Sequence, residues 1–386
     1  MATTDIAGAR TSPRTPWVLA ALGGAAALAA IVAVPQDARG AAAQSWPAFV
    51  LVAGLLLVGF VAHEDGLFAA GGHVLARVAP NGWALYAGTV ALVFVVTTLL
   101  NLDTSVTFLT PVVVYAARRR GEGEAPLLYG CLLLANAGSL LLPGSNLTNV
   151  IVLGHLHLSG REFFAHMALA GLAAAAVTAL VVAAVHRGEL RTTIAPDVGR
   201  IERPVLGVGL LAVTAVTVLV LVLWSPALPV LVVGLVATVL RARHGAASPS
   251  NAVRVLGLPV LVGLFGLAVA LGALGRSWSG PATLLTHLDG WGTAALAAVL
   301  SVLVNNLPAA SLLAAHRPPH PYTLLVGLNV GPNLFATGSL AWVLWLRAAR
   351  TAGARPDVGR AVRLGLVSVP LAIVAALLVL SAQGLS

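Results

Sequence analysis

The chain has 386 residues, 59% of them hydrophobic and only 9% charged, and its mean hydropathy is +0.95. A soluble domain carries about a quarter charged residues, so this composition excludes a globular protein with a water-exposed surface. The net charge of +9 does not indicate nucleic-acid binding, because all 22 basic residues are Arg and lie scattered at the ends of apolar runs. The one cysteine, Cys131, excludes a disulfide framework and a multi-cysteine metal site.

Runs of about 17–25 apolar residues recur along the chain, and that length spans the hydrocarbon core of a bilayer. Every backbone N–H and C=O inside lipid must be paired within its own segment, so the runs are predicted to be helices. The short alternating segments of a β-barrel are absent. The predicted fold class is therefore an all-α polytopic membrane protein, with spans at about 17–34, 46–62, 125–154, 163–186, 205–223, 227–240, 255–274, 321–346 and 364–382.

Two further apolar stretches, 84–117 and 291–315, are interrupted near the middle by polar residues. The interruption reads Asn-Leu-Asp-Thr-Ser at 101–105 in the first stretch and Asn-Asn-Leu-Pro at 305–308 in the second. A polar middle is typical of a re-entrant helical hairpin, whose two helices enter and leave on the same side of the membrane. Short amphipathic segments at 66–79 and 278–289 precede the two predicted hairpins.

The Arg residues predict the topology, since cytoplasmic loops of membrane proteins are enriched in basic residues. With the N-terminus in the cytoplasm and both hairpins re-entrant, 18 of the 22 Arg lie on the cytoplasmic side. The four on the outer side are Arg39, Arg161, Arg276 and Arg317. A hairpin that crossed the membrane as one span would mix the two sets. Segment 17–34 is predicted to be an uncleaved anchor in a bacterial inner membrane.

The two halves of the chain repeat one order of elements: amphipathic segment, hairpin, interrupted helix and closing span. The interrupted helices, 125–154 and 321–346, each carry Asn-x-Gly followed by a second Gly and Ser. The first hairpin opens to the cytoplasm and the second to the outside, so the repeat is predicted to be inverted, as in many secondary transporters. The predicted units are a cytoplasmic tail 1–16, a first repeat 17–186, a cytoplasmic linker 187–204 and a second repeat 205–386.

Asp103 is the one acid in the middle of a membrane segment. A charge at that depth costs about 2.5–3.5 kcal/mol on insertion scales, so Asp103 is predicted to face the protein interior and to carry a proton or bind a cation. Asp-Thr-Ser is also good N-cap chemistry, and a capping role stays open. Glu64 is the second proton-coupling candidate, although an interfacial acidic turn also explains the pair that it forms with Asp65.

The other predicted binding residues are amides, hydroxyls and one glycine at the tips and interruptions, where unwound backbone must line a polar cavity. They are Asn101, Thr104, Ser105, Ser139, Ser145, Asn146, Thr148, Asn149, Asn305, Asn306, Asn329, Asn333, Thr337, Gly338 and Ser339. Without Arg, this set suits a neutral polyol-like or hydroxide-like solute, or a dehydrated cation, better than a multivalent anion. No metal site or cofactor is predicted: His155, His157 and His166 have no Cys nearby, and Cys131 is assigned to helix packing.

At these motifs the chain resembles the arsenite/antimonite efflux permeases (arsenical pump membrane proteins) of the ion-transporter superfamily. The similarity covers most of 46–346 in collinear order, through His-Glu-Asp-Gly-Leu-Phe at 63–68, Asp-Thr-Ser-Val-Thr-Phe-Leu-Thr-Pro at 103–111, and the motifs at 137–149, 305–308 and 331–341. It implies a scaffold and a mobile part whose hairpin tips and broken helices close on the substrate. It also implies export of trivalent metalloid hydroxide against inward proton flow, with a partner ATPase in some members.

The chain departs from the family at two positions. Asn136 and Asn329 stand where family members commonly have Asp, which removes two proton sites that the resemblance would imply. The leading prediction is export of arsenite or antimonite, neutral as the trihydroxide at pH 7, in exchange for protons. A sodium-coupled dicarboxylate or other anion symporter and a sodium/proton antiporter of the same superfamily stay open, as does a homodimer.

Two other classes of protein are disfavoured. A non-transporting membrane scaffold has no reason to keep two polar interruptions inside the bilayer. Enzymatic activity is not expected, because the chain has no phosphate-binding Gly-x-x-x-x-Gly-Lys motif and no Lys at all. The expected partners are therefore the bilayer, a small inorganic solute and a coupling ion, either a proton or sodium.

Overall fold

The structure is a computed structural model that describes residues 15–121, 123–154, 156, 158–191, 207–243 and 248–386. All regular structure within these ranges is helical, without a strand, so the predicted all-α fold is confirmed for this part of the chain. The predicted tail lies outside the described residues as far as position 14, and the predicted linker does so from position 192 onward. His155 and His157 also lie outside them.

The first half begins with a long helix pair and contains the first interrupted helix. Its helices are α1 (Thr15–Ala33), α2 (Pro35–Glu64), α3 (Leu67–Val78), α4 (Gly82–Leu99), α5 (Leu102–Arg119), α6 (Ala125–Gly138), α7 (Leu147–Leu153) and α8 (Gly160–Val185). One 3-10 turn, Pro143–Ser145, separates α6 from α7. Helix α2 begins well before the predicted span at 46, because Pro35 occupies the first helical position, where its fixed φ is favourable.

The second half repeats this order after two additional helices. Its helices are α9 (Val208–Val222), α10 (Ala227–Arg243), α11 (Pro249–Leu256), α12 (Leu258–Ser277), α13 (Gly280–Thr286), α14 (Gly290–Val304), α15 (Asn306–Leu313), α16 (Pro321–Val330), α17 (Leu340–Thr351) and α18 (Val358–Ala382). The 3-10 turn Gly331–Leu334 follows α16 directly. Both predicted helix interruptions are therefore present, the first between α6 and α7 and the second between α16 and α17.

Both predicted hairpins are also present as pairs of helices. Helices α4 and α5 form hairpin 1, and α14 and α15 form hairpin 2. Each first arm begins at a side-chain cap: Asn81 accepts from the N–H of Ala84 at 2.9 Å, and Asp289 accepts from the N–H of Gly292 at 2.7 Å. Such caps supply the acceptor that the first N–H groups of a helix lack, so these polar residues determine where the arms start.

Helices from the two halves pack across each other. Helix α1 packs against α12 and α10 against α2, while α7 packs against α15 and α17 against α5. At the contact of α1 with α12, a Cβ placed on Gly23 would lie 2.0 Å from the carbonyl oxygen of Gly263. Only glycine permits so close an approach of two helix backbones, which is how membrane helices commonly associate. The halves therefore intertwine.

The two interruptions differ in how well they are covered. Helix α9 lies over the first one, where Val220 is 3.5 Å from a Cβ placed on Gly144. At the tip of hairpin 1 Asn101 is buried, whereas at the tip of hairpin 2 Asn305 is half-buried. The order of elements repeats, but helix α9, at the start of the predicted second repeat, packs over the first interruption.

Six helical segments in the described ranges are long and apolar enough to cross a membrane. They are Pro16–Ala33, Pro35–Glu64, Gly82–Leu99, Gly160–Val185, Ser250–Ser277 and Val358–Ala382. This agrees with a multi-pass protein. The nine-span topology stays a prediction, since Gly82–Leu99 is the first arm of hairpin 1 and its length alone would let it cross.

The acidic turn after α2 joins three helices. Asp65 Oδ1 lies 2.5 Å from Arg241 Nε near the end of α10, and Asp65 Oδ2 accepts from the N–H of Gly209 in the first turn of α9 at 2.7 Å. The side chains of Asp65 and Arg241 are 1% and 16% exposed. Glu64, by contrast, is exposed at the end of α2. Asp65 is therefore a structural residue of this turn.

We expect Asp65→Asn to lower the free energy of unfolding by about 3–5 kcal/mol, because it leaves the Arg241 charge in a largely buried place without its counter-ion. The measurement is thermal unfolding of the detergent-solubilised protein. Asp357→Asn is the matched control: its pair with Arg363 is long, at 3.9 Å, and mostly exposed. Such a pair contributes about 0–1 kcal/mol. Equal effects of the two substitutions would contradict the assignment.

Candidate solute-binding site

In the first half, the tip of hairpin 1 is hydrogen-bonded to the neighbouring helix interruption. Ser145 Oγ donates to the carbonyl oxygen of Thr98, three residues before the tip residue Asn101, at 3.2 Å. Asn101 Oδ1 accepts from the N–H of Thr104 at 2.6 Å and so caps α5. The polar sequence in the middle of the first apolar stretch is therefore a helix start held against the break between α6 and α7.

The second half has an equivalent junction. Thr337 Oγ1 donates to the carbonyl oxygen of Val302, again three residues before the tip residue Asn305, at 2.7 Å. The N–H of Asn306 donates to the carbonyl oxygen of Gly338 at 2.9 Å, and Asn305 Nδ2 donates to that of Thr337 at 3.2 Å. Asn305 has φ +75°, the only positive φ outside glycine among the described residues. Side chains in this region are strained, and these bonds hold the strained tip in place.

Asn329 in α16 links the second interrupted helix to the first. Its Oδ1 accepts from Ser139 Oγ at 2.7 Å and from Asn146 Nδ2 at 2.6 Å. Its Nδ2 donates to Asn149 Oδ1 at 2.9 Å and to the carbonyl oxygen of Leu325 at 2.8 Å. An amide can donate and accept at once, whereas a carboxylate only accepts. Asn329 therefore makes two bonds, those that it donates to Asn149 and Leu325, that an ionised Asp could not make.

Further amide bonds join the same two helices. Asn136 Nδ2 donates to Asn333 Oδ1 at 2.9 Å, and Asn333 Nδ2 donates to the carbonyl oxygen of Leu133 at 2.8 Å. Asn149 Nδ2 donates to the carbonyl oxygens of Ser139 and Leu142 at 2.8 and 3.0 Å. We call this set the amide network; its members, all buried, are Asn136, Ser139, Asn146, Asn149, Asn329 and Asn333. It fastens the two broken helices to each other.

Other predicted residues carry buried polar atoms without a hydrogen-bond partner in the described part of the chain. At the tip of hairpin 1 these are Asn101 Nδ2, Asp103 Oδ1 and Thr104 Oγ1. At the starts of α7 and α17 they are Thr148 Oγ1 and Ser339 Oγ. Buried polar atoms are nearly always paired, so unpaired ones indicate places for water, an ion or a solute. Hairpin 1 is where such atoms surround a buried acid.

The structure thus distinguishes predicted residues whose polar atoms are bonded within the protein from those that keep an unpaired atom. The amide network is bonded internally except at Asn136 Oδ1, while the unpaired atoms of the predicted residues lie at the tip of hairpin 1 and at two helix starts. Ser105 Oγ has only a long bond of 3.5 Å to the carbonyl oxygen of Val93. Sequence reasoning left Asn136 out of the binding set, yet its position matches that of Asn329 in the repeat. His166 contacts Tyr322, with 2.9 Å between Nδ1 and Oη.

The fold has a counterpart among solved transport proteins. The chain is similar to the YdaH transporter of Alcanivorax borkumensis, whose crystal structure reveals an unusual topology, with a TM-score of 0.58 and 15% sequence identity. The match covers 89% of this chain and 86% of that one. At this identity the likeness shows the fold alone. Together with the apolar spans, it places the protein in the class of multi-pass helical membrane proteins.

The family follows from the sequence comparison. A profile of the family described as "CitMHS: Citrate transporter" matches residues 10–346, and the chain belongs to this family. The chain is also 25% identical over 340 residues to the arsenical pump membrane protein of Yersinia enterocolitica, a match that covers 78% of each protein. The protein is therefore a membrane transporter of the ion-transporter type.

Proposed function

We propose that the protein is a secondary active transporter that exports arsenite or antimonite in exchange for protons by alternating access. It lies in the bacterial inner membrane with its N-terminus in the cytoplasm. The two halves act as inverted repeats, and both hairpins are re-entrant, as the Arg distribution predicts. The similarity to an arsenical pump membrane protein supports this substrate class.

The observation that carries the proposal is the tip of hairpin 1. Three of its side chains, Asn101, Asp103 and Thr104, are buried and keep a polar atom unpaired. A trivalent metalloid hydroxide is neutral and offers O–H donors as well as oxygen acceptors, so amide, hydroxyl and carboxyl groups can all bind it without a compensating charge. Asp103 also supplies a group that can gain and lose a proton.

The role of the proton follows from the cost of a buried charge. A carboxylate inside the bilayer is expensive, and either a proton or a bound partner removes that cost. If substrate and proton use the Asp103 carboxyl in turn, each must leave before the other arrives, which is the condition for exchange. Glu64, exposed at the end of α2, is the second candidate for the coupling group.

We expect expression of the protein in an arsenite-sensitive bacterium to raise the tolerated arsenite concentration several-fold and to lower cellular arsenic. Thr104→Val should abolish this effect without loss of stability, because the hydroxyl that it removes has no internal partner. Thr110→Val is the matched control, since the Thr110 hydroxyl is bonded within its own helix. If Thr104→Val left resistance intact, or if the parent protein gave none, the proposal would be wrong.

Citrate or another carboxylate, taken up with sodium, is the second candidate, and the family description favours it. The predicted site contains no Arg, so the helix starts at the tips and a coupling cation would have to neutralise such an anion. Sodium-dependent uptake of labelled citrate without an arsenite phenotype would select this candidate. Sodium tolerance that depends on external pH would select sodium/proton exchange instead.

A further inference from the structure

A polar joint lies at the C-terminal end of hairpin 2, at the end of α15 opposite to the tip residue Asn305. Gln44 of α2 donates through Nε2 to the carbonyl oxygen of Ala314, just after α15, at 2.7 Å, and to that of Ile151 in α7 at 3.0 Å. One side chain of α2 thus bonds the end of α15 in hairpin 2 and the last turn of α7 in the first interrupted helix.

Arg276 of α12 completes the joint. Its Nη1 donates to the carbonyl oxygen of Ala315 at 2.9 Å, and its Nη2 donates to Gln44 Oε1 at 2.8 Å and to the carbonyl oxygen of Gly40 at 3.3 Å. The last carbonyls of a helix have no partner within the helix, and a cation there also complements the helix dipole. Arg276 and Gln44 therefore supply hydrogen-bond donors to the carbonyl groups at the end of α15, which have no donor within their own helix.

Beside the joint, glycines of α12 allow close packing against the neighbouring helices. A Cβ placed on Gly275 of α12 would lie 2.6 Å from the carbonyl oxygen of Leu312, and one placed on Gly272 would lie 2.9 Å from Ala41 Cβ. No bulky side chain of α12 interlocks with α15 at these two positions. At these two positions, separation of α15 from α12 requires no large side chain to leave a pocket, whereas the bonds of the joint must break.

We propose that Gln44 and Arg276 form an outer latch, which holds hairpin 2 and α7 against α2 and α12 and must open before a solute can pass to the outside. The predicted topology places Arg276 on the outer side. The inference rests on the alternating-access part of the proposed function, and not on the identity of the solute. The latch sets the closed state of the outer path, and its bonds re-form after release.

The test measures access to hairpin 2 in the full-length protein in spheroplasts. Ser311→Cys places a thiol on α15, one turn before Ala315, in a Cys131→Ser background. Ser311 is buried and bonded only to Leu307 of its own helix among the bonds described for it, so the exchange is mild. A membrane-impermeant maleimide is the probe. We expect Arg276→Gln to raise its labelling rate about tenfold or more, the factor for one lost hydrogen bond to a charged group.

Two controls make the result specific. Arg317→Gln removes an exposed Arg close to the same helix end and should leave the labelling rate unchanged. The native Cys131, buried in α6, should stay unreactive when Arg276→Gln is made in the parent sequence. An unchanged rate at the introduced thiol, or an equal rise at Cys131, would overturn the proposal. Labelling needs no substrate, so the latch can stand if arsenite export fails, and arsenite export can stand if the latch fails.

Discussion

Asp103→Asn is expected to reduce arsenite export by at least about 100-fold, the range that a positioned proton-transfer group contributes, while the protein remains as stable as before or becomes more so. The substitution keeps the size of the side chain and its place in the first turn of α5. It removes the proton that exchange requires, and it also removes the cost of a charge at membrane depth. Most substitutions of a buried polar residue lower stability, so this combination identifies a functional acid.

Proteoliposomes with an imposed pH gradient provide the measurement. Arsenic movement and thermal unfolding are followed for the parent protein, Asp103→Asn and Glu64→Gln. Glu64 is exposed at the end of α2, so its amide variant should retain exchange if Asp103 is the coupling group. Proton-driven export by Asp103→Asn, with loss in Glu64→Gln, would move the coupling role to Glu64. The N-cap of α5 is Asn101 and not Asp103, so loss of stability in Asp103→Asn would instead indicate that the Asp103 charge stabilises the N-terminus of α5.

Asn329→Leu should have the largest effect on folding. It removes the acceptor of Ser139 and Asn146 and the donor to Asn149, all of which are buried. Each of these three polar groups left without its partner costs about 1–3 kcal/mol, so we expect a loss of about 3–9 kcal/mol in the free energy of unfolding. The bonds cross between the halves, and the variant should therefore also lose transport.

The matched control is Asn251→Leu, the same chemical change at an exposed position of α11. Its thermal midpoint in detergent should stay close to that of the parent protein. Asn329→Asp is a second informative variant, because its carboxylate can still accept from Ser139 and Asn146 but would face the carbonyl oxygens of Asn149 and Leu325. We expect it to be less stable than the parent protein. A stable Asn329→Leu variant would show that the amide network does not hold the halves together.

The amide network also bears on the absence of acids from the interrupted helices. Asn136 donates across the halves to Asn333, and Asn329 both donates and accepts across them. Asp at either place would offer acceptors only and would add a charge inside the membrane. In this chain the interrupted helices are therefore joined by neutral bonds, and Asp103 stands alone as the buried acid of the hairpin tips. Proton coupling through one site is simpler than coupling through three.

Much of the architecture could be predicted from the sequence. Run length and polarity decide which segments are apolar helices, because a backbone inside lipid must satisfy its own hydrogen bonds. Local chemistry decides where the helices start, as at Asn101 and Asn146, since an N-cap involves only residues close in sequence. The hairpins, the interruptions and the repeated order of elements therefore appear in the sequence as patterns of polar residues and glycines.

The pairing of side chains depended on the tertiary structure. Asn329 and Ser139 are 190 positions apart, and Gln44 and Ala314 are 270 apart. No local pattern states which amide will find a partner and which will stay unpaired, because that depends on how helices cross. The sequence by itself determined which polar residues lie at membrane depth. Only the packing of the two halves decided that six of them join in the amide network, while Asn101 Nδ2, Asp103 Oδ1 and Thr104 Oγ1 stay unpaired among the described residues.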